Sequence, residues 1–208
     1  MVWAPDYVTA AELKSFLRID VGDTVDDAQL AFAITAASRA VDRTTNRQFG
    51  QVTAAEARLY TPRFDCSRLG STWPTGRWLV QIDDLMEAAG LTVTTAAGTV
   101  DLFVKEPINA AAESKPWTRL VIDPASATVP KGTDNEVTVT AKYGWSAVPV
   151  AVKQATLLQA SRLFKRRDAP FGVAGSPEAG SEVRLLARVD PDVAVTLRPY
   201  VRQRLAVG

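Results

Sequence analysis

The sequence contains no histidine, and it has a single cysteine, Cys66, among 208 residues. Histidine is the usual general base, the usual protein ligand of metals and a member of Ser and Cys catalytic triads, so these forms of catalysis are excluded. One cysteine without histidine cannot build a structural zinc site, and it cannot form a disulfide within the chain. Carboxylate chemistry with Mg²⁺ is the remaining enzymatic route.

Long apolar runs and a large net charge are also absent. No run approaches the ~18 residues of a membrane span, and the N-terminus lacks the basic and apolar regions of a secretory signal. The 24 Lys and Arg against 23 Asp and Glu leave a formal charge of +1. A dedicated nucleic-acid binder normally has a net basic footprint. We therefore expect an intracellular, unprocessed protein that does not contact membranes.

The few net charges are unevenly distributed along the chain. Residues 1–30 carry six acids against Lys14 and Arg18, whereas residues 148–208 carry ten bases against five acids. The chain is thus acidic at its start and basic at its end. This asymmetry favours contacts between unlike ends, either within one chain or between neighbours in an oligomer.

Helix signals mark the first 49 residues. Thr9 and Glu12 form a capping box, which predicts a helix over about residues 10–18. Thr24 predicts the N-cap of a second helix that ends near Asn46. The buried face of this second helix is predicted from residues at helical spacing: Leu30, Ile34, Ala37 and Val41.

Helical patterns return after Trp145. The stretch from Pro149 to Arg167 contains no internal Gly or Pro and is apolar on two sides, which predicts a helix wedged between neighbours. Residues 168–181 are rich in Gly and Pro and predict a mobile loop. Asp190-Pro191-Asp192 predicts the start of a last helix, which Pro199 ends or kinks before a basic C-terminal arm.

Between these helical regions the pattern changes to short β-branched or aromatic runs separated by turn residues. They predict about five or six antiparallel strands in a small sheet or barrel. The runs are Leu59–Thr61, Trp78–Ile82, Leu91–Thr95, Val100–Val104, Arg119–Ile122 and Val137–Tyr143. The predicted class is therefore α+β: residues 1–49 and 147–208 are helical, and residues 50–146 form an antiparallel β-rich module between them.

Possible catalytic or binding motifs are weak. Gly70–Arg77 (GSTWPTGR) resembles a phosphate loop only superficially, because its spacing is one residue too long and Arg77 replaces the lysine. Adjacent residues of a strand point to opposite faces, so the carboxylates of Asp83 and Asp84 would not converge on one substrate as an acid/base pair. We therefore interpret both as solvated turn residues. The cluster of Lys165, Arg166 and Arg167 lies where a helix dipole favours cations. That cluster has three open interpretations: a structural role, a subunit or partner contact, and nucleic-acid binding.

Several segments, in this order, carry a resemblance to a known family. They are YVTAAELKSFL at 7–17, TNRQF at 45–49, Tyr143-Gly144-Trp145, Val148-Pro149 and LFKRRDAPFGV at 163–173. Together they resemble the head-to-tail connector (adaptor) proteins of long-tailed bacteriophages. A β-rich portion between the helices is similar to the larger members from phages of actinobacteria.

The resemblance implies a fold in which residues 1–49 and 147–208 form a helical bundle that carries residues 50–146 as a β insertion. It also implies a structural virion protein rather than an enzyme. It implies a ring of about twelve copies below the portal, joined through heterologous contacts, with double-stranded DNA passing through the lumen without sequence-specific binding. The implied partners are the portal protein, a stopper or other tail-proximal connector protein, and further copies of the chain. The implied location is the head–tail junction of the virion, after synthesis and assembly in the host cytoplasm. No cofactor, metal or catalytic residue is expected.

Two sets of candidate contact residues follow. The arm beyond Asp190 is expected to order on the portal through Arg198, Tyr200, Arg202, Arg204 and Leu205. The candidate subunit or partner contacts are Lys165, Arg166, Arg167, Phe171, Asp26 and Asp27. An alternative for the arm is that Leu197, Val201 and Leu205 fold a kinked helix back onto the core.

Three alternative functions stay open. A stopper or tail-completion protein of the same connector is the nearest, although such proteins are usually rich in β structure throughout. A nucleic-acid-binding accessory protein would be retained on DNA with a steep salt dependence. A small enzyme using carboxylates and Mg²⁺ would lose turnover when a chelator is added.

Overall fold

The computed structural model of the chain describes residues 4–66, 76–168, 173–174, 183–184 and 191–202. In this part it has four α helices and two four-stranded antiparallel sheets, with a further two-stranded pair. The predicted mixture of helices and antiparallel strands is confirmed, whereas the helical bundle is not confirmed because the described helices are few. The chain divides into two compact units. The β unit lies within Gly50–Ala147, and the helical unit contains Ala4–Phe49 and the described part of Val148–Gly208.

Helix α1 spans Ala10–Leu17 and begins at the predicted capping box. The Thr9 hydroxyl accepts the N–H of Glu12 (3.2 Å), and the Glu12 carboxylate accepts the N–H of Thr9 (2.7 Å). Two backbone donors that a helix start leaves unpaired are thereby satisfied. The helix ends where Arg18 adopts a left-handed conformation with φ of 62°.

Helix α2 spans Asp27–Thr45 and begins later than the Thr24 cap that the sequence predicts. Asp26 occupies the N-cap position. The preceding residues form turns instead, because the Asp23 carboxylate accepts the N–H of Val25 (3.1 Å). The predicted apolar face of α2 is confirmed, since its members are all buried: Leu30, Ile34, Ala37 and Val41.

Helix α3 spans Val150–Lys165 with Pro149 at its N-cap, and a 3₁₀ turn over Arg166–Asp168 follows it. Helix α4 spans Pro191–Leu197 and continues into a 3₁₀ turn over Arg198–Tyr200. The predicted loop at 168–181 lies mostly outside the described residues. Within the described part, strands at Val173–Ala174 and Val183–Arg184 pair antiparallel.

The core of the helical unit lies between α1, α2 and α3. Among the described residues, one cluster of six buried side chains lies there, and four half-buried side chains pack around them. The buried set is Val8, Leu13, Leu30, Ile34, Ala37 and Ala160. Since α3 also packs against α4, its wedged position agrees with the two apolar sides seen in its sequence.

In its described residues, the β unit has eight strands in two antiparallel sheets. One sheet has the order β1-β8-β4-β5 and the other β2-β3-β7-β6. The strand bounds are β1 Glu56–Tyr60, β2 Pro62–Asp65, β3 Arg77–Leu85, β4 Thr92–Thr95, β5 Gly98–Thr99, β6 Phe103–Glu106, β7 Trp117–Ile122 and β8 Val137–Ala141. The six runs read from the sequence overlap six of these strands, while β2 and β5 were not predicted.

Both sheets bury side chains in one shared core. Val137, Val139 and Ala141 of β8 are buried, whereas the intervening threonines are half-buried. This pattern confirms the alternation that the sequence predicts. From the other sheet, Val80 and Ile82 of β3 join the same cluster, together with residues of β7.

Protein stability is expected to fall as the pH rises above about 10. Desolvation is the largest cause that raises the pKa of Tyr7, Tyr60 and Tyr143 above the ordinary value of 10.0. Above about pH 10 the unfolded chain therefore releases phenolic protons that the folded protein keeps. The contribution of these tyrosines to the free energy of unfolding is fully present below pH 10 and is lost as the pH rises above it. Urea midpoints at about pH 8 and about pH 11 measure the effect. Tyr143→Phe should reduce the difference, and equal midpoints for the natural chain would contradict the expectation.

Candidate functional site

Within the described ranges, acidic and metal-ligating side chains are dispersed and do not form one centre. The described residues contain no group of three or more His, Cys, Asp or Glu side chains that could hold a metal ion. In the same part of the chain, no helix has both the length and the apolar character needed to cross a membrane.

The acidic pair in β3 has structural partners within the β unit. Asp84 is buried and accepts the indole N–H of Trp145 (2.8 Å). Asp83 accepts a guanidinium N–H of Arg58 (2.7 Å) and the hydroxyl of Tyr60 (3.1 Å). The interpretation of Asp83 and Asp84 as solvated turn residues is therefore wrong, because β3 continues through both of them and each carboxylate has its own partners.

Trp145 belongs to a crossing of backbones around Gly144. The N–H of Gly144 donates to the carbonyl of Asp84 (2.7 Å), and the N–H of Trp145 donates to the carbonyl of Gly50 (2.9 Å). Gly144 has φ of +111°, and a Cβ built there would lie 2.0 Å from the Gly50 carbonyl oxygen. Only glycine fits this position, which explains the Tyr143-Gly144-Trp145 segment in physical terms.

The first candidate surface is at the C-terminal end of α2, where the end of the described chain folds back. The Arg47 Nε donates to the carbonyl of Tyr200 (2.8 Å), and the N–H of Arg202 donates to the carbonyl of Thr45 (2.8 Å). These bonds place two arginines of α2 and its C-cap region beside two arginines that follow α4. We call this set the α2 end surface: Arg43, Arg47, Arg198, Tyr200 and Arg202.

Aromatic packing holds the α2 end surface in place. The Phe49 ring meets the ring of Tyr200 edge to face at 5.8 Å and that of Tyr7 at 5.6 Å. The Tyr7 hydroxyl accepts the N–H of Phe49 (3.0 Å) and donates to the carboxylate of Asp42. Burial is the main cause that raises the pKa of Asp42, opposed by this hydroxyl and by Arg39. Packing of Tyr7, Phe49 and Tyr200 therefore fixes the position of the α2 end surface.

Three predicted portal-binding residues, Arg198, Tyr200 and Arg202, lie together on the α2 end surface; Arg204 and Leu205 lie outside the described residues. The structure differs from an arm that is free beyond Asp190, because Leu197 is fully buried and Tyr200 is half-buried. The sequence left open an alternative in which Leu197, Val201 and Leu205 pack back onto the core. The burial of Leu197 agrees with this alternative, whereas the exposure of Val201 does not.

The second candidate surface is a groove of about 300 Å³ between α2 and α3. We call it the α2–α3 groove. Phe32 of α2 is 77% exposed although it is a large apolar side chain. The guanidinium of Arg167 lies over the Phe164 ring at 4.7 Å. The main lining residues are Phe32, Ala33, Ala36, Leu163, Phe164 and Arg167.

Three of the predicted contact residues, Arg167, Asp26 and Asp27, form ion pairs within the helical unit. Arg167 pairs with Asp26 at 2.5 Å, and Lys14 pairs with Asp27 at 2.5 Å. Lys165 is exposed and Arg166 is half-buried beside Arg167, whereas Phe171 lies outside the described residues. Part of the opposite charge at the two ends of the sequence is therefore paired within one chain.

Sequence reasoning missed Phe32 and the contribution of Arg43 and Arg47. Arg39, Arg43 and Arg47 recur at four-residue spacing, which places them along one side of α2 and the residues after it. The bond from Arg47 to the Tyr200 carbonyl joins positions 153 residues apart. Phe32 stands off the predicted apolar face of α2, and that offset was the available signal for an exposed aromatic side chain.

Comparison with known proteins gives structural neighbours only. No family model matches the chain, and no curated protein matches it. A chain in the neck of an empty gene transfer agent particle, computed with C6 symmetry, is 18% identical with a TM-score of 0.53, covering 97% of this chain and 93% of that chain. A chain in the virion of a native gene transfer agent particle is 19% identical with a TM-score of 0.45, covering 99% and 95%. The first likeness shows a shared fold.

Proposed function

We propose that the protein is a structural virion protein, a head-to-tail adaptor that joins the capsid to the tail. In this proposal about twelve copies form a ring below the portal, and double-stranded DNA passes through the lumen. The observation that carries the proposal is the shared fold, over 97% of the chain, with a chain in the neck of a gene transfer agent particle. The segments that resemble phage adaptor proteins support it independently.

The copy number is part of the proposal. That particle neck was computed with C6 symmetry, which requires any chain off the axis to occur in multiples of six. A ring of about twelve copies agrees with this symmetry. A closed ring needs two different patches on each copy, and the helical and β units offer surfaces of different chemistry.

The α2 end surface is the proposed portal contact. Arg198 is exposed, and Arg43 is exposed on the last turns of α2. Arginine guanidinium groups bind carboxylates through paired hydrogen bonds, so this surface suits an acidic patch of the portal. Tyr200 supplies an aromatic ring that is already fixed by Phe49. A preformed contact of this kind costs less conformational entropy than an arm that orders on binding.

We propose that the protein has no enzymatic role. The chain has no histidine, and the buried carboxylate of Asp84 is committed to the indole of Trp145. The proposed location is the head–tail junction, with a stopper or other tail-proximal connector protein as the second partner.

Assembly with portal tests this function. The pure protein at about 10 μM is expected to sediment as a monomer or weak oligomer, since the ring should need the portal as template. Mixed with the portal protein of the same genome, it should form rings that electron microscopy resolves below the portal. Binding only to a portal that already carries another ring would indicate a stopper instead. Binding to DNA alone with a steep salt dependence would indicate a nucleic-acid-binding protein.

A further inference from the structure

We propose that residues 4–7, which precede α1, form a strap whose attachment to α2 positions Tyr200 and thereby regulates the α2 end surface. We call this segment the N-terminal strap. The inference rests on the proposed portal contact and deepens it, because it names the part of the chain that controls that surface. Arg39 and Ser38 are the positioning residues, and neither belongs to the α2 end surface itself.

Arg39 binds the backbone of the N-terminal strap from the middle of α2. Its Nη1 donates to the carbonyl of Ala4 (2.6 Å), and its Nη2 donates to the carbonyl of Pro5 (2.7 Å). Its Nε lies 3.1 Å from the carboxylate of Asp42, three residues further along the helix. A planar guanidinium serves several acceptors in fixed directions at once, so this one side chain joins two strap carbonyls to α2.

Two further side chains of α2 bind the N-terminal strap beside Arg39. The Ser38 hydroxyl accepts the N–H of Tyr7 (3.1 Å), and the Thr35 hydroxyl donates to the carboxylate of Asp6 (3.0 Å). Thr35 and Arg39 are four residues apart and therefore lie on one side of the helix. The strap is thus attached along two turns of α2 by hydrogen bonds.

An attachment of this kind opens more readily than a packed core. Ala4 and Pro5 are half-buried and Asp6 is exposed. Hydrogen bonds of such groups exchange with bonds to water, so each adds little net stability. Segments with few buried apolar contacts open at a lower free energy than the core. We therefore expect the strap to detach while the helices of the unit stay folded.

Tyr7 connects the N-terminal strap to the α2 end surface. Its ring is buried and packs edge to face against Phe49 at 5.6 Å, and its hydroxyl accepts the N–H of Phe49 (3.0 Å). The Phe49 ring packs in turn against Tyr200 at 5.8 Å. The carbonyl of Tyr200 accepts a hydrogen bond from Arg47. A displacement of the strap therefore reaches Tyr200 through two direct contacts.

Coupling between two sites is reciprocal. If the attached strap holds Tyr200 in the position that portal binds, portal binding must favour the attached strap by the same factor. Variants that release the strap should therefore bind portal about tenfold more weakly, within the range typical of such coupling. In the natural chain, hydrogen exchange of the strap amides should slow when portal binds.

Fluorine NMR of the full chain labelled with fluorotyrosine tests the inference. The sequence has four tyrosines, and the resonance of Tyr200 is identified by its loss in Tyr200→Phe. Arg39→Gln removes the donors to the strap carbonyls, and Ser38→Ala is a smaller change that removes one acceptor. We expect both variants to shift the Tyr200 resonance, whereas the two tyrosines of the β unit keep theirs.

Lys153→Gln is the matched control. It removes a cation of α3 that pairs with Glu12 at 3.3 Å, and it belongs neither to the strap nor to the α2 end surface. Surface ion pairs contribute little, so we expect an unchanged Tyr200 resonance and a portal affinity within about twofold of the natural chain.

The outcomes separate this regulation from the proposed function. An unchanged Tyr200 resonance in both variants, with circular dichroism showing folded chains, overturns the inference even if the natural chain binds portal. Equal shifts of all four resonances would indicate a general loss of packing and also overturn it. If the Tyr200 resonance shifts but the natural chain does not bind portal, positioning by the strap stands and the adaptor function is contradicted. Portal binding that leaves the exchange of the strap amides unchanged would contradict the coupling.

Discussion

Replacement of Gly144 by alanine is expected to destabilise the β unit by about 3 to 5 kcal/mol. A positive φ of 111° strains any residue with a Cβ, and at this position the added atom would lie 2.0 Å from the carbonyl oxygen of Gly50. Relief requires the backbones to separate. The bonds from Gly144 to Asp84 and from Trp145 to Gly50 would then lengthen or break.

Loss of that crossing would also take a hydrogen bond away from a buried carboxylate. Trp145 donates to the carboxylate of Asp84, and both side chains are buried. Separation of the segments leaves this carboxylate without its indole partner in an apolar environment, which adds to the cost. The effect should therefore exceed that of an ordinary glycine in a turn.

Gly90→Ala is the matched control for this prediction. Gly90 also has a positive φ, of 73°, but a Cβ there would meet nothing within 4 Å. We expect it to cost about 1 kcal/mol from backbone strain alone. Urea unfolding followed by tryptophan fluorescence measures both variants. Equal losses for the two would show that the close approach to Gly50 contributes nothing.

Local signals in the sequence predicted the elements that short-range interactions determine. The capping box of Thr9 and Glu12 satisfies backbone donors three residues apart, and the alternation in β8 follows from one buried face of a sheet. Each needs only a few neighbouring residues. For this reason α1 and β8 were found close to their observed positions.

Long-range partners decided the elements that were missed. Asp83 and Asp84 resemble turn residues in isolation, yet Asp84 meets Trp145 from 61 residues away and Asp83 meets Arg58 from 25 away. Strand β2 begins with Pro62, a residue that disfavours strands, and pairs on one side only, with β3. Pairings of this kind cannot be read from local sequence.

The same reasoning applies to the candidate site. Composition drew attention to the arginines near the chain end, but it could not show that the Nε of Arg47 would donate to the carbonyl of Tyr200. The α2 end surface is assembled from two distant segments. The sequence shows that arginines are present in both segments, whereas only the fold shows which of them lie close together.

The fold also changes how the portal contact should be tested. Truncation after Val189 would remove Val193 and Leu197, which are buried in the helical unit. Loss of such side chains costs about 2 to 5 kcal/mol each, so failure of the truncated protein would not separate binding from folding. Substitution of two charged side chains, exposed Arg198 and half-buried Arg202, leaves Val193 and Leu197 in place.

The double variant Arg198→Glu with Arg202→Glu is expected to remain folded and to bind portal at least about a hundredfold more weakly. Glutamates in place of these arginines would face the carboxylates that the α2 end surface is proposed to meet, and like charges across an interface cost several kcal/mol. The buried Leu197 and the edge-to-face packing of Tyr200 on Phe49 are left in place. Circular dichroism checks the fold, and co-sedimentation with portal measures binding.

Arg63→Glu with Lys131→Glu provides the matched control, because it makes the same change in net charge on exposed residues of the β unit. We expect this control to bind portal within about threefold of the natural chain, since neither residue belongs to the α2 end surface that is proposed to meet portal. In virions, the Arg198 and Arg202 variant should yield filled capsids without tails, whereas the control should yield normal particles. Equal loss in both variants would indicate a general effect of charge, and normal tail attachment by the first variant would exclude the α2 end surface as the portal contact.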